Sequence, residues 1–407
     1  MKTCALENAA PRRVSHVTSR QRSLLGLLLL AGFIGAPLPL SGACDTVSFR
    51  KVGPFTVDGG PLYLVTADLN GDSFQDFVTA NATTGVVVYY GDGAGGFSGP
   101  NTFPAGVYPH DVAVGDFNGD AKPDLAVAAG IDRIGSGVEL LLNNGDGTFA
   151  APTLYPAEDS PSQIVAADFN RDGILDLAVT DNISGNVDIL IGTGTGAFLP
   201  PAKFAATATP AGIVVGDFNR DHKLDLAISN FGSQDLRILL GNGKGRFTVV
   251  NTYLMNGNAS EVAAGDFNHD GRLDLAVGVF NIGGDDHIAV YLGNGDGSFT
   301  VGPQVFLSDP QGLVAVDLNR DGNLDLATAT YASNNVTVVL GDGTGQFGAG
   351  MPFPVGAFPY DVATADFNGD GWPDLVTTNY LSGKSSVLLE KPCSQSQPAV
   401  LPPLRRQ

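Results

Sequence analysis

Cysteine is scarce in this chain: three residues in 407, at Cys4, Cys44 and Cys393. That excludes a disulfide-dense scaffold and any thiolate-rich zinc module. Histidine is nearly as rare, with five residues and no pair at zinc-binding spacing, and no nucleophile motif is present. The expectation is therefore a non-enzymatic protein. Basic residues are also short, 22 Lys and Arg against 42 Asp and Glu, and they form no stripe along the chain. Nucleic-acid binding, which needs such a footprint, is excluded. Long hydrophobic runs are missing apart from Leu24 to Ile34, which is shorter than the roughly 20 residues of a spanning helix. Helical periodicity is absent beyond residue 43.

The single apolar run has a recognisable setting. Arg12, Arg13, Arg20 and Arg22 precede it, and the small residues Ser41, Gly42 and Ala43 follow it. This is the layout of a secretory signal peptide over residues 1–43. The expected location is secreted, extracellular or periplasmic, with no transmembrane span. A lipid anchor at Cys44 is the alternative, although Ser41 stands where a lipoprotein signal wants Leu. Removing the leader leaves 17 basic and 41 acidic residues, a net charge of −24.

What is present in quantity is one acidic loop, Asp-x-Asn-x-Asp-x-x-x-Asp, written seven times. The copies are Asp68, Asn70, Asp72 and Asp76; Asp116, Asn118, Asp120 and Asp124; Asp168, Asn170, Asp172 and Asp176; Asp217, Asn219, Asp221 and Asp225; Asp266, Asn268, Asp270 and Asp274; Asp317, Asn319, Asp321 and Asp325; Asp366, Asn368, Asp370 and Asp374. Oxygen side chains at positions 1, 3, 5 and 9, with the carbonyl of residue 7 and water, suit a hard cation such as Ca²⁺. Up to seven structural Ca²⁺ ions are expected, at affinities of about 10⁻⁴–10⁻³ M or somewhat tighter. Position 6 is Gly173, Gly271, Gly322 or Gly371 in four copies, where positive φ is easy. It is Ser73, Ala121 and His222 in the others, and those three sites are expected to be weaker.

The loops recur at offsets of 48, 52, 49, 49, 51 and 49 residues. Within each unit a short β-prone run enters the loop and another leaves it. A third run ends in a Gly-rich turn such as Gly241-Asn242-Gly243, and a fourth opens on a phenylalanine. Four-stranded modules of this period predict an all-β, seven-bladed β-propeller over residues 44–393; a β-solenoid is the rival. The residue after the first Asp is Leu69, Phe117, Phe169, Phe218, Phe267, Leu318 or Phe367. These are expected to pack between adjacent modules.

The seventh unit lacks its Gly-rich turn and phenylalanine, reading Glu390-Lys391-Pro392-Cys393 instead. Phe49 is placed to supply the missing residue, so the N-terminal strand is expected to complete the last blade. That closure puts Cys44 and Cys393 at the cut ends of one hairpin and predicts a disulfide between them. Residues 394–407 form a Pro-rich tail expected to be disordered.

The Asp-Phe-Asn-x-Asp-Gly-x-x-Asp loops, with Phe97-Ser98-Gly99-Pro100 and Phe149-Ala150-Ala151-Pro152 as degenerate Phe-Gly…Gly-Ala-Pro segments, resemble FG-GAP/VCBS repeats. Such repeats build the N-terminal β-propeller of integrin α subunits and of many bacterial secreted proteins. The resemblance implies calcium in the loops and extracellular recognition or adhesion of a protein or glycan, by a chain expected to be monomeric. Here all seven units carry the loop, whereas integrins have it in only some blades. Recognition is expected on the face opposite the loops, whose variable connections are Tyr108-Pro109-His110-Asp111, Gly130 to Gly137, Asn281 to His287 and Phe358-Pro359-Tyr360-Asp361, with Tyr108 and Tyr360 expected in matching places. A carbohydrate-binding lectin is the first alternative, a propeller-based lyase or hydrolase the second.

Overall fold

The computed structural model describes residues 44, 46–83, 85–131, 134–157, 159–206, 209–281 and 283–391. The leader 1–43, Cys393 and the tail 394–407 lie outside the described residues.

Seven four-stranded antiparallel sheets make up the fold. In each, the first strand is innermost and touches the first strands of its two neighbours. These inner strands are Pro61–Ala67, Pro109–Gly115, Pro161–Ala167, Pro210–Gly216, Asn258–Gly265, Pro310–Val316 and Pro359–Ala365. Blades 1 to 7 are numbered in that order. The second strands, from Asp76–Asn81 in blade 1 to Asp374–Asn379 in blade 7, lie sandwiched between neighbouring blades and are buried along nearly their whole length. Burial on both faces explains why they read as continuous apolar runs, Asp274-Leu275-Ala276-Val277 for example, without polar alternation. The outer strands alternate between half-buried and exposed, as strands with one wet face do.

The core is divided among the seven junctions between blades, each holding its own apolar cluster. Each residue after the first Asp of a loop is at most 2 % exposed. It meets the phenylalanine that follows the Gly-rich turn of the next blade. Phe117 packs edge-on against Phe198, Phe169 against Phe247, Phe218 against Phe299, Phe267 against Phe347, and Phe367 against Phe97. Edge-to-face pairs of this kind add about 0.5–1.5 kcal/mol beyond the area they bury.

The ring closes as the broken seventh unit predicts. Strand Phe49–Thr56 pairs antiparallel with Lys384–Glu390, with Phe49 opposite Glu390, and so supplies the outer strand of blade 7. Phe49 joins the cluster of Leu318 and Leu388, filling the place of the absent phenylalanine. One 3-10 turn, Tyr331–Ser333, is the helical element among the described residues. None of their helices is long and apolar enough to cross a membrane.

Candidate functional site

The loop between first and second strands and the Gly-rich turn between third and fourth share one face of the disc. The loop's internal bonding repeats with little variation. The first Asp accepts from the N–H of position 6 in all seven copies, at 2.8–3.0 Å. The Asn at position 3 accepts from position 5. The Asp at position 5 in turn accepts from position 7. Position 6 has positive φ in every copy, at Ser73, Ala121 and His222 as at the glycines. Position 4 does so as well, at Arg171, Arg220, His269 and Arg320 among others. The sequence reading found the first left-handed position and missed the second.

The ninth-position carboxylates stand apart from the other three. Each is fully buried. One oxygen accepts from the N–H of loop position 2, the other from an N–H at the end of the third strand, at 2.7–3.0 Å in every blade. For Asp225 the donors are Phe218 and Gly241; for Asp374, in the blade without a Gly-rich turn, they are Phe367 and Glu390. These residues tie loop to turn. Burial raises their pKa, opposed by the two N–H donors and reinforced by repulsion from the first and fifth positions. Asp76, Asp225, Asp325 and Asp374 are pushed up to about 7. Asp124, Asp176 and Asp274 are pushed up to about 6.

The donor set is hard oxygen throughout and carries excess negative charge, which fits Ca²⁺ in kind. Among the described residues, however, no three His, Cys, Asp or Glu side chains stand together as a ready metal site. Positions 1, 3 and 5 already use oxygens within the loop. Some charge is offset internally: Lys223 and Arg272 lie 2.8 Å from Asp221 and Asp270, and Lys122 lies 3.6 Å from Asp120. Residue 7 of those loops is thus a built-in cation. The sixth loop is covered instead, since the Asn319 side chain donates to the carbonyl of Cys44.

The opposite face holds a different arrangement. Every inner strand carries a register shift near its start, between Pro61 and Leu64, Pro109 and Asp111, Pro161 and Ile164, Pro210 and Gly212, Ala259 and Val262, Pro310 and Leu313, and Pro359 and Val362. Such bulges turn side chains out of the ladder. The seven together surround the mouth of the central channel, where residues of these segments line a pocket of about 170 Å³. Tyr63, His110 and Tyr360 form an aromatic group there. Tyr63 and Tyr360 are 5.4 Å apart at 85°, and Tyr63 and His110 are 5.4 Å apart at 36°. His110 Nδ1 lies 2.7 Å from the Ser162 carbonyl, a contact that requires Nδ1 to carry a proton. Burial lowers the His110 pKa, against the pull of that bond and of Asp111. Burial also pushes Tyr360 up to about 12.

Three buried acids stand at the same mouth. Asp111 accepts from Ile164 N–H of the next blade, and Asp361 from Leu64 N–H, both at 3.0 Å. Glu261 accepts from Gln163 Nε2, two blades away, at 3.3 Å. That reach depends on Gly212 in the blade between, where a Cβ would come within 2.8 Å of Glu261 Oε1. Inner strands of neighbouring blades share no ladder, so these side chains join them.

A family model for the FG-GAP-like repeat matches residues 68–127, 127–179, 168–228, 223–277, 279–328 and 317–377. The chain belongs to the FG-GAP-like repeat family. No curated protein sequence matches it. The FG-GAP-like propeller is similar in structure to BBS1N, solved in complex with ARL6DN, with a TM-score of 0.61 at 16 % identity over 84 % of this chain and 96 % of that one. It is also similar to the periplasmic gluconolactonase PpgL of Pseudomonas aeruginosa, with a TM-score of 0.56 at 17 % identity over 78 % and 98 %. A protein from Lactobacillus plantarum gives 0.54 at 14 % over 82 % and 96 %. At these identities the likeness concerns the fold.

Of the variable-loop residues, His110 and Tyr360 converge at the pocket; the inner strands start at Pro109 and Pro359, so His110 and not Tyr108 is the counterpart of Tyr360. Tyr63, Gln163 and Glu261 were missed. A signal existed: they immediately precede the aligned residues Leu64, Ile164 and Val262 of their repeats, but that place is not uniform, holding Tyr63, Asp111, Gln163, Gly212, Glu261, Gly312 and Asp361 in turn.

Proposed function

We propose that this FG-GAP-like chain is an exported, calcium-pinned recognition module without catalytic activity, and that it binds through the face opposite its acidic loops. The observation that carries this reading is the make-up of that face. The polar and aromatic channel mouth is ringed by apolar side chains at the tips of the second-to-third-strand hairpins, Ile183 at 52 %, Phe231 at 41 % and Leu381 at 65 % exposure. Exposed apolar groups gathered about one mouth, unlike those scattered singly, offer a surface for a partner to cover. The acidic loops contribute rigidity: a cation bridging positions 1, 3 and 5 would relieve the repulsion among their carboxylates and the buried ninth-position Asp beside them. The structural neighbours include both a protein complex and an enzyme, so the fold does not choose between binding and catalysis.

Cys44 and Cys393 are proposed to pair. Phe49 stands opposite Glu390, and Lys391 N–H donates to the Ser48 carbonyl, which brings the two chain ends to one edge of blade 7. In the chain-entropy model a loop of this length adds about 5 kcal/mol. Two free thiols, or a diacylated Cys44, in the mass spectrum of the exported protein would refute the pairing.

The test of the main reading has two arms. Melting with calcium and with chelator should differ by 10 °C or more, on the order of what saturating several sites contributes. Capture of a protein or glycan from the native exterior should be lost in Phe231→Ser and Leu381→Ser variants that melt normally. Calcium-independent melting refutes the pinning, and capture indifferent to those variants refutes the choice of face.

A further inference from the structure

We infer that the channel mouth is a binding site for an alkylammonium head, seated between the Tyr63–Tyr360 corner and the Glu261 carboxylate. The inference rests on the reading of this face as the recognition face and names the ligand chemistry its pocket would take.

Size is the first argument. A cavity of about 150 Å³ accommodates benzene, so about 170 Å³ admits a head of similar bulk and not a fully seated pyranose. The second is charge. Glu261 is the acid among the lining residues, and no Lys or Arg is among them. Asp111 and Asp361 lie close behind, each buried and engaged with the N–H of the next blade. An anion entering here would meet three carboxylates, whereas a cation would be attracted by all of them. The third argument is the wall opposite. Two tyrosine rings meeting at 85° make a corner, and aromatic faces attract ammonium groups by about 0.5–2 kcal/mol each. His110, its Nδ1 committed to the Ser162 carbonyl and its charged form disfavoured by burial, adds a third ring in place of a competing cation.

Specificity also follows. Gln163 Nε2 and the Val262 N–H hold the Glu261 carboxylate, and the missing side chain of Gly212 leaves it room. The carboxylate is thus positioned before a ligand arrives.

The experiment titrates the calcium-loaded exported protein with n-butylammonium, n-butanol and butyrate, by calorimetry or by perturbation of the tyrosine and histidine NMR signals. Butylammonium should bind about tenfold or more tightly than butanol, and butyrate should not bind, as expected for a charge-assisted contact. Glu261→Gln should lose about tenfold for butylammonium and little for butanol. Tyr360→Leu should weaken butylammonium severalfold, with melting used to confirm that both variants fold. Nα-acetyl-lysine methylamide in a parallel titration tells a lysine side chain of a partner, if it matches butylammonium, from a free amine, if it does not. No binding of butylammonium, equal binding of butanol, or an unaffected Glu261→Gln variant overturns the inference. Those results leave the calcium and hairpin-tip tests untouched, so the two readings fail separately.

Discussion

Asp225 offers the sharpest separation between a residue that holds a cation and one that holds the fold. Its two oxygens accept from Phe218 N–H at 3.0 Å and Gly241 N–H at 2.8 Å, and its side chain is fully buried. Asp225→Ala strands both donors, at about 1–3 kcal/mol each, for a loss of about 2–6 kcal/mol. Asp225→Asn keeps one acceptor oxygen but turns an NH₂ toward the second donor, so about half of that loss is expected. Urea unfolding in chelator is the decisive condition. A residue serving only as a calcium ligand would be silent there, because no ion is bound to lose. The arrangement instead predicts most of the loss in chelator and only a small increment on adding calcium. Asp217→Asn, in the same loop but with partners at the surface, should show the reverse pattern. A change below about 0.5 kcal/mol for Asp225→Asn in chelator would refute the reasoning, since surface substitutions without structural consequence fall in that range.

Three further outcomes are expected. Gly271 has φ of 77° with nothing within 4 Å of its would-be Cβ, so Gly271→Ala should cost about 1 kcal/mol through the backbone alone, and Ala121→Gly, at φ 66°, should recover a similar amount in thermal melts. Arg272→Ala, removing a guanidinium 2.8 Å from Asp270, should tighten calcium binding at the fifth loop severalfold by calorimetry, and Lys223→Ala should do likewise at the fourth; unchanged or weaker binding would show that these cations do not compete for the loop. His110, with its folded pKa below the unfolded value of about 6.5, contributes stability present above that value and lost as pH falls through the folded pKa. His110→Gln should therefore flatten the decline of stability on acidification below about pH 6.5, and an unaltered slope counts against a buried neutral ring.

Seven acidic loops at a steady period, the phenylalanine beside each and the broken seventh unit were legible because they repeat. A repeat copies whatever every blade needs: the turn, the wedge between neighbours, the strand that closes the ring. The ninth-position Asp was equally legible as a residue, but spacing gave it only a place among the candidate cation ligands and not its second task of tying loop to turn. Its backbone partners, such as Gly241, come from a turn sixteen residues away that the hairpin brings near. The basic residues at position 7 carry no repeat signal, being present in only some loops, and only the structure sets Arg272 and Lys223 on the neighbouring carboxylates.

The sequence by itself determined the ring, its blade count, its closure and the face that carries the loops, since periodicity and strand alternation are local properties that survive being read in one dimension. Only the tertiary structure decided where a ligand could sit. Tyr63, His110, Gln163, Glu261 and Tyr360 come from five different blades, and although they occupy two adjacent places of the repeat, nothing in those places marks these five units from the others. They meet because each inner strand carries a bulge at the same place and because Gly212 leaves room for Gln163 to reach Glu261. A ring brings its least similar residues together at its axis, where seven repeats with different side chains make one asymmetric site.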